Sequence, residues 1–99
     1  MKPKKIYISG KMRGLPREEY KKKFKDVEDM LTKMGYDAIN PCNIEHDSDK
    51  WEDRILKDLN ILKDCDAIFM LENSRDNSNG AMCEYHFAKG MGLQIMGRC

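Results

Sequence analysis

Residues Asp66 to Leu71 read Asp-Ala-Ile-Phe-Met-Leu, a run that is almost wholly apolar. A strand of this composition is expected where a sheet is covered on both faces. Three other β runs accompany it. Lys5 to Ser9 is Lys-Ile-Tyr-Ile-Ser, Tyr36 to Ile39 is stopped by Asn40-Pro41, and Leu93 to Met96 follows a pair of glycines. Between these runs the apolar period changes from that of a strand to that of a helix. Tyr20, Phe24, Val27, Leu31 and Met34 fall at alternating spacings of four and three and make one helical stripe, preceded by Pro16 and ended by Gly35. Trp51, Ile55, Leu59 and Leu62 make a second stripe, for which Asp47 or Ser48 supplies a cap.

Strands that alternate with helices build a parallel sheet through right-handed crossovers. The expected fold is therefore α/β, a three-layer flavodoxin/Rossmann-like sandwich around a short parallel sheet of four strands in the order 2-1-3-4. With 99 residues and no repeat, linker or low-complexity segment, residues 1–99 are expected to form a single domain. A net charge of +1 gives no electrostatic case for a nucleic-acid or membrane partner, and the lysines at Lys2, Lys4, Lys5 and Lys21 to Lys23 read as a solvated face. No apolar run approaches the roughly 20 residues of a membrane span. Ile6 to Ile8 is too short for a signal-peptide core, so a cytoplasmic location is expected. The four cysteines are then expected to be free thiols. Cys42, His46, Cys83 and His86 fit no established zinc spacing, and Cys65 reads as a small buried hydrophobe. No metal or cofactor is expected.

The richest stretch for chemistry runs from Ser78 to Leu93. Asn79 and Gly80 suit a helix start, and Gly90 and Gly92 suit its end. Glu84 is placed near the first turn, where the helix dipole would keep a carboxylate ionised. Ala81 and Ala88 share its face, which is small enough for a ligand to lie against. The plain alternative is an ordinary glutamate stabilising its helix. In a sheet of order 2-1-3-4, ligands bind beyond the carboxyl ends of the strands where the winding reverses, here between the first and third strands. The loops there are Gly10 to Leu15 and Glu72 to Asn79. An acid, a glycine-rich basic loop and Tyr7 thus converge on one cleft.

An ionised carboxylate in a cleft can attack an anomeric carbon. A second acid would assist the leaving group, and Asp58, one residue before Leu59 of the second stripe, is the candidate; the alternative is a surface acid. Tyr7 could hydrogen-bond the nucleophile, or be a core tyrosine with its hydroxyl at the sheet edge. Arg13, flanked by Gly10 and Gly14, could bind a phosphate with help from backbone N–H groups, or be an exposed arginine in a loop. That loop matches neither the dinucleotide fingerprint nor the P-loop.

Tyr7-Ile8-Ser9-Gly10, Arg13-Gly14, Gly35-Tyr36, Asn40-Pro41, Lys57-Asp58-Leu59, Cys65-Asp66-Ala67-Ile68, and Gly80-Ala81 with Glu84 and Ala88 occur in that order along the chain. In this order and spacing the chain resembles the nucleoside 2-deoxyribosyltransferase-like superfamily, and within it a small branch found in bacteria and phages. The resemblance covers nearly the whole chain. It implies that Glu84 matches the nucleophilic glutamate, Asp58 an aspartate at the leaving base, and Tyr7 the active-site tyrosine. It implies a substrate- and phosphate-binding set of Ser9, Gly10, Lys11, Arg13 and Gly14 with Ser78, Asn79 and Gly80. Lys11 stands where the related monophosphate N-glycosidases have a serine. Ser78 stands where the transferases have a base-contacting aspartate, with Asp76 the nearest acid. The sequence stops after the fourth strand, where larger members continue with a fifth strand and a tail.

The expected activity is cleavage or transfer at the N-glycosidic bond of a (deoxy)nucleoside or nucleoside 5′-monophosphate. The alternatives are a catalytically silent nucleotide-binding or sensing domain and a NAD glycohydrolase. The expected partners are a nucleoside or nucleotide and further copies of the chain. A four-stranded domain buries little, and Met82, Met91, Met96 and Phe87 cannot all face so thin a core. The resemblance also implies an oligomer whose neighbours complete the pocket.

Overall fold

The computed structural model describes residues 4–11, 15–44, 49–71 and 79–97, with backbone alone at 79–81. In chain order the elements are β1 (Lys5–Ser9), α1 (Arg17–Lys33), β2 (Asp37–Ile39), a 3₁₀ turn (Pro41–Asn43), α2 (Trp51–Leu62), β3 (Ala67–Met70), α3 (Asn79–Gly90) and β4 (Gln94–Gly97). The strands pair in parallel in the order β2-β1-β3-β4. The fold class and the strand order are those the alternation of strands and helices predicts.

The two-residue period of a strand sends successive side chains to opposite faces. Ile6 and Ile8 of β1 and Ala67 of β3 face α1 and pack with Phe24, Leu31 and Leu71. Tyr7 of β1 and Ile68 and Met70 of β3 face the other way and pack with Leu62 of α2, Cys65 and Ala88 of α3. The sheet is thus covered on both sides, as the apolar run at 66–71 requires. Each fully buried Phe, Leu or Ile contributes roughly 1.5–3 kcal/mol. The opposite side of α1 is solvated and carries ion pairs such as Lys25 to Asp29 at 2.9 Å.

The helix ends depart from the sequence reading in instructive ways. Pro16 is the residue before α1 rather than its first member: its backbone is extended, with φ −57° and ψ 139°, and its carbonyl accepts from the Glu19 and Tyr20 amides. Met34 caps the C-terminus of α1 and is 60% exposed, so the buried stripe stops at Leu31. Helix α2 begins at Trp51 after Lys50, which gives no side-chain cap; Asp47 and Ser48 lie outside the described residues. Trp51 is 40% exposed, and of its stripe only Leu62 is fully buried. Trp51 in the first turn of α2 and Met34 just past α1 stay exposed, whereas Leu31 and Leu62, in the last turns of the same helices, are fully buried, so phase on a helix does not by itself decide burial. At the end of α3, Gly90 is still helical and Gly92 makes the turn, with φ +77° that a side chain would resist.

Candidate active site

Strand β1 is central, paired with β2 on one side and β3 on the other. Near its carboxyl end, Tyr7 and Ser9 stand two residues apart on the same face, both fully buried. A polar residue in a strand this buried requires a partner. Glu84, on the facing side of α3, supplies it. The Tyr7 hydroxyl donates a short hydrogen bond to Glu84 Oε2. The Ser9 hydroxyl donates to Glu84 Oε1 at 2.8 Å. One carboxyl group thus receives a proton donor on each oxygen, from side chains 77 and 75 residues away in sequence.

Glu84 is only 6% exposed. It is the sixth residue of α3, and no acid stands in that helix's first turn. The reading from sequence, a carboxylate near the first turn that the helix dipole keeps ionised, is therefore corrected in its charge. The dipole's influence fades within the first turn, and burial dominates at the second. Burial raises the Glu84 carboxyl from its ordinary 4.5 to about 7. The two hydroxyl donors hold it down, and the negative field of Asp58 adds to the rise. Burial first, then Glu84 and Asp58, push the Tyr7 phenol well above its ordinary 10, so Tyr7 remains a proton donor at any pH of interest.

Asp58 is half-buried on α2, and its field acts on both Tyr7 and Glu84. Three of the residues singled out from sequence, Tyr7, Asp58 and Glu84, are thus brought together by β1, α2 and α3. At Ala88 the small face of α3 has a different use from the one expected, and the Ala81 side chain lies outside the described residues. Ala88, one turn beyond Glu84, is fully buried against the sheet, where it packs with Tyr7 and is closed to a ligand. A small residue there lets α3 approach β1 closely enough for the two hydroxyls to reach Glu84.

Gly10 follows Ser9 directly, and a Cβ there would lie 2.5 Å from Leu71 Cδ1. The start of the loop is therefore wedged against the end of β3. Lys11 is half-buried beside it. Asn79 and Gly80 form the first residues of α3. Arg13, Gly14 and Ser78 lie outside the described residues, as does His46. Among the described residues no group of three or more His, Cys, Asp or Glu is placed to hold a metal ion. Cys42, Cys65 and Cys83 are free thiols. Cys65 is buried, donates to the Ile61 carbonyl at 3.4 Å, and burial raises its thiol to about 11, in keeping with a packing role. Sequence reasoning placed Ser9 with the phosphate loop and missed its bond to Glu84. The signal was the Tyr-X-Ser spacing on one strand, which puts both hydroxyls on one face.

The family model described as a domain of unknown function, DUF4406, matches residues 4–97. No curated protein matches the chain by sequence. Among solved structures, the chain is similar to a 2-deoxyribosyltransferase of Bacillus psychrosaccharolyticus, with a TM-score of 0.72 at 21% identity over 94% of this chain and 70% of that one. It is similar to a 2-deoxyribosyltransferase of Leishmania mexicana, with a TM-score of 0.70 at 20% identity over 96% of this chain and 63% of that one. A CMP N-glycosidase of Clostridium botulinum gives a TM-score of 0.65 at 21% identity over 95% of this chain and 67% of that one. The fold is thus nucleoside 2-deoxyribosyltransferase-like, the fold the resemblance implies.

Proposed function

The chain belongs to the DUF4406 family, and from that premise we propose that it cleaves, or transfers across, the N-glycosidic bond of a (deoxy)nucleoside or nucleoside 5′-monophosphate, with Glu84 as the nucleophile. The observation that carries this reading is a single buried carboxyl group held by two hydroxyls from β1, within the field of a second acid. A carboxylate has about four lone-pair directions, and two donors leave others free for attack. In the proposed reaction a Glu84 oxygen bonds to C1′ as the bond from C1′ to the base nitrogen breaks. The electron pair leaves with the base, and Asp58 assists its departure. Water or a second base then attacks C1′, the ester bond to Glu84 breaks, and the carboxylate is restored.

The fold likeness supports this substrate class, since the similar structures are two 2-deoxyribosyltransferases and a CMP N-glycosidase. Arg13 and the Gly10 to Gly14 loop take the 5′-phosphate in this reading, and residues 1–99 act as one domain. Among the described residues no helix is long and apolar enough to cross a membrane. Association of copies is part of the same proposal. Met91, Leu56 and Trp51 expose apolar surface, whereas Met96 and Phe87 pack against opposite faces of the sheet rather than forming one patch. A mass near 11.6 kDa by light scattering would remove the oligomer from the account.

The test is incubation with a panel of nucleosides, their 5′-monophosphates and NAD, with released base as the readout. Base release is expected, stronger for monophosphates if Arg13 binds phosphate, and rising with pH through about 7 as Glu84 ionises. Glu84→Gln keeps the shape and loses the charge, so it should abolish release in a folded protein. Turnover within about tenfold of wild type would end the nucleophile assignment. Release of nicotinamide alone would favour the NAD glycohydrolase, and binding without release the silent domain.

A further inference from the structure

Ser9 stands where the sequence suggests a phosphate contact, yet its side chain is fully buried and its hydroxyl is engaged by Glu84 Oε1 at 2.8 Å. We propose that Ser9 is a positioning residue, whose hydroxyl fixes the plane of the Glu84 carboxylate for attack. The proposal rests on the reading of Glu84 as nucleophile.

The terminal torsion of a glutamate is broad and poorly fixed by its own rotamer preferences. A single donor, the Tyr7 hydroxyl on Oε2, pins one oxygen and leaves the group free to turn about it. A second donor on Oε1 fixes both oxygens, and with them the directions of the remaining lone pairs. Ser9 can act this way because its own position is set by backbone. Its carbonyl accepts from the Leu71 amide at 2.8 Å, it lies in register with Met70, and the glycine that follows is wedged on Leu71. The two donors share one face of one central strand, so their separation is fixed by strand geometry rather than by packing. The titratable groups that act on Glu84 are Tyr7 from β1 and Asp58 from α2. Ser9 and Tyr7 favour the ionised carboxylate, and Asp58 opposes it.

The experiment compares wild type with Ser9→Ala, Ser9→Thr and Ser9→Cys. Each is followed by carbon-13 NMR titration of the Glu84 carboxyl, assigned with Glu84→Gln, and by the pH dependence of kcat and KM on the best substrate of the panel. Ser9→Ala is expected to move the Glu84 titration and the rising limb of the activity profile to higher pH. It should lower kcat at pH 7 about tenfold, the size of one charge-assisted hydrogen bond, with KM within about twofold. Ser9→Thr restores the donor and should bring both readings back toward wild type. If Ser9→Ala does not fold, Ser9→Cys carries the same readings with a weaker donor and should fall between. An unmoved titration, or a raised KM confined to monophosphates with kcat unchanged, overturns the proposal. If wild type releases no base from any compound, the catalytic reading falls with it, and the titration still decides whether Ser9 holds the carboxyl.

Discussion

The two faces of the sheet are built from the same strands and serve different ends. Toward α1, alternate residues of β1 and β3 meet Phe24 and Leu31 in an apolar cluster, and the buried Asn40 that follows β2 donates to Glu28 of α1 at 3.3 Å. Toward α2 and α3, the intervening residues meet a carboxyl group, and Tyr7 and Ser9 spend their polar groups on it. A buried carboxyl is stable when neutral and costly when charged. The α1 face therefore only stabilises, while the other face gives up stability, in a pH-dependent way, to keep an acid out of water. One strand can do both because its side-chain period is two.

The largest expected effect breaks the dry face. Phe24→Ala removes a fully buried ring and should cost about 3–5 kcal/mol in chemical denaturation. The Glu84 titration should be unchanged in whatever fraction remains folded. A shift in that titration would mean the two faces are not independent.

The next concerns the acid itself. Folded, Glu84 holds its proton up to about pH 7; unfolded, it releases it near the ordinary 4.5. Between those values the folded chain binds the extra proton, so the contribution of Glu84 to stability is full below about 4.5, falls as pH rises through about 7, and stays lower above it. At about 1.36 kcal/mol per pH unit the loss is about 3 kcal/mol. Glu84→Gln lacks this loss. Its stability relative to wild type should improve by about that amount between pH 4.5 and pH 8, read from denaturation midpoints at both. A pH-independent difference between the two proteins would contradict the assignment of a raised Glu84 pKa.

The smallest effect sharpens the polar face. Tyr7→Phe keeps the ring in the core and deletes the donor to Oε2. It should cost about 1.5–3 kcal/mol at pH 8, where the lost bond is to a charged group, and about 0.5–1.5 kcal/mol at pH 5. Equal costs at the two pH values would show that the hydroxyl does not favour the ionised carboxylate.

Much of this arrangement was legible in the residues. The strand order followed from alternation, and the face of each β1 side chain from its period. Phe24 and Leu31 are legible as core from their phase in the α1 stripe, and both are fully buried. Met34 and Trp51 were misread because periodicity reports the phase of a residue and not its burial. The pairing of Tyr7 with Glu84 was readable as a possibility. The bond from Ser9 is carried by the same strand face, and reading Ser9 as part of the glycine loop that follows it hides that signal. The protonation of Glu84 was misjudged for a related reason: position along a helix is local, whereas burial is set by everything that packs around it.

The 77- and 75-residue separations of the Tyr7–Glu84 and Ser9–Glu84 bonds span most of a 99-residue chain. These are among the least local contacts the topology can make, and they gain nothing until the long loop between them has closed. Without α3 docked on β1, Glu84 does not meet Tyr7 and Ser9 and there is no site. The chemistry is therefore tied to the completeness of the fold, and a partly assembled chain holds none of it in reserve.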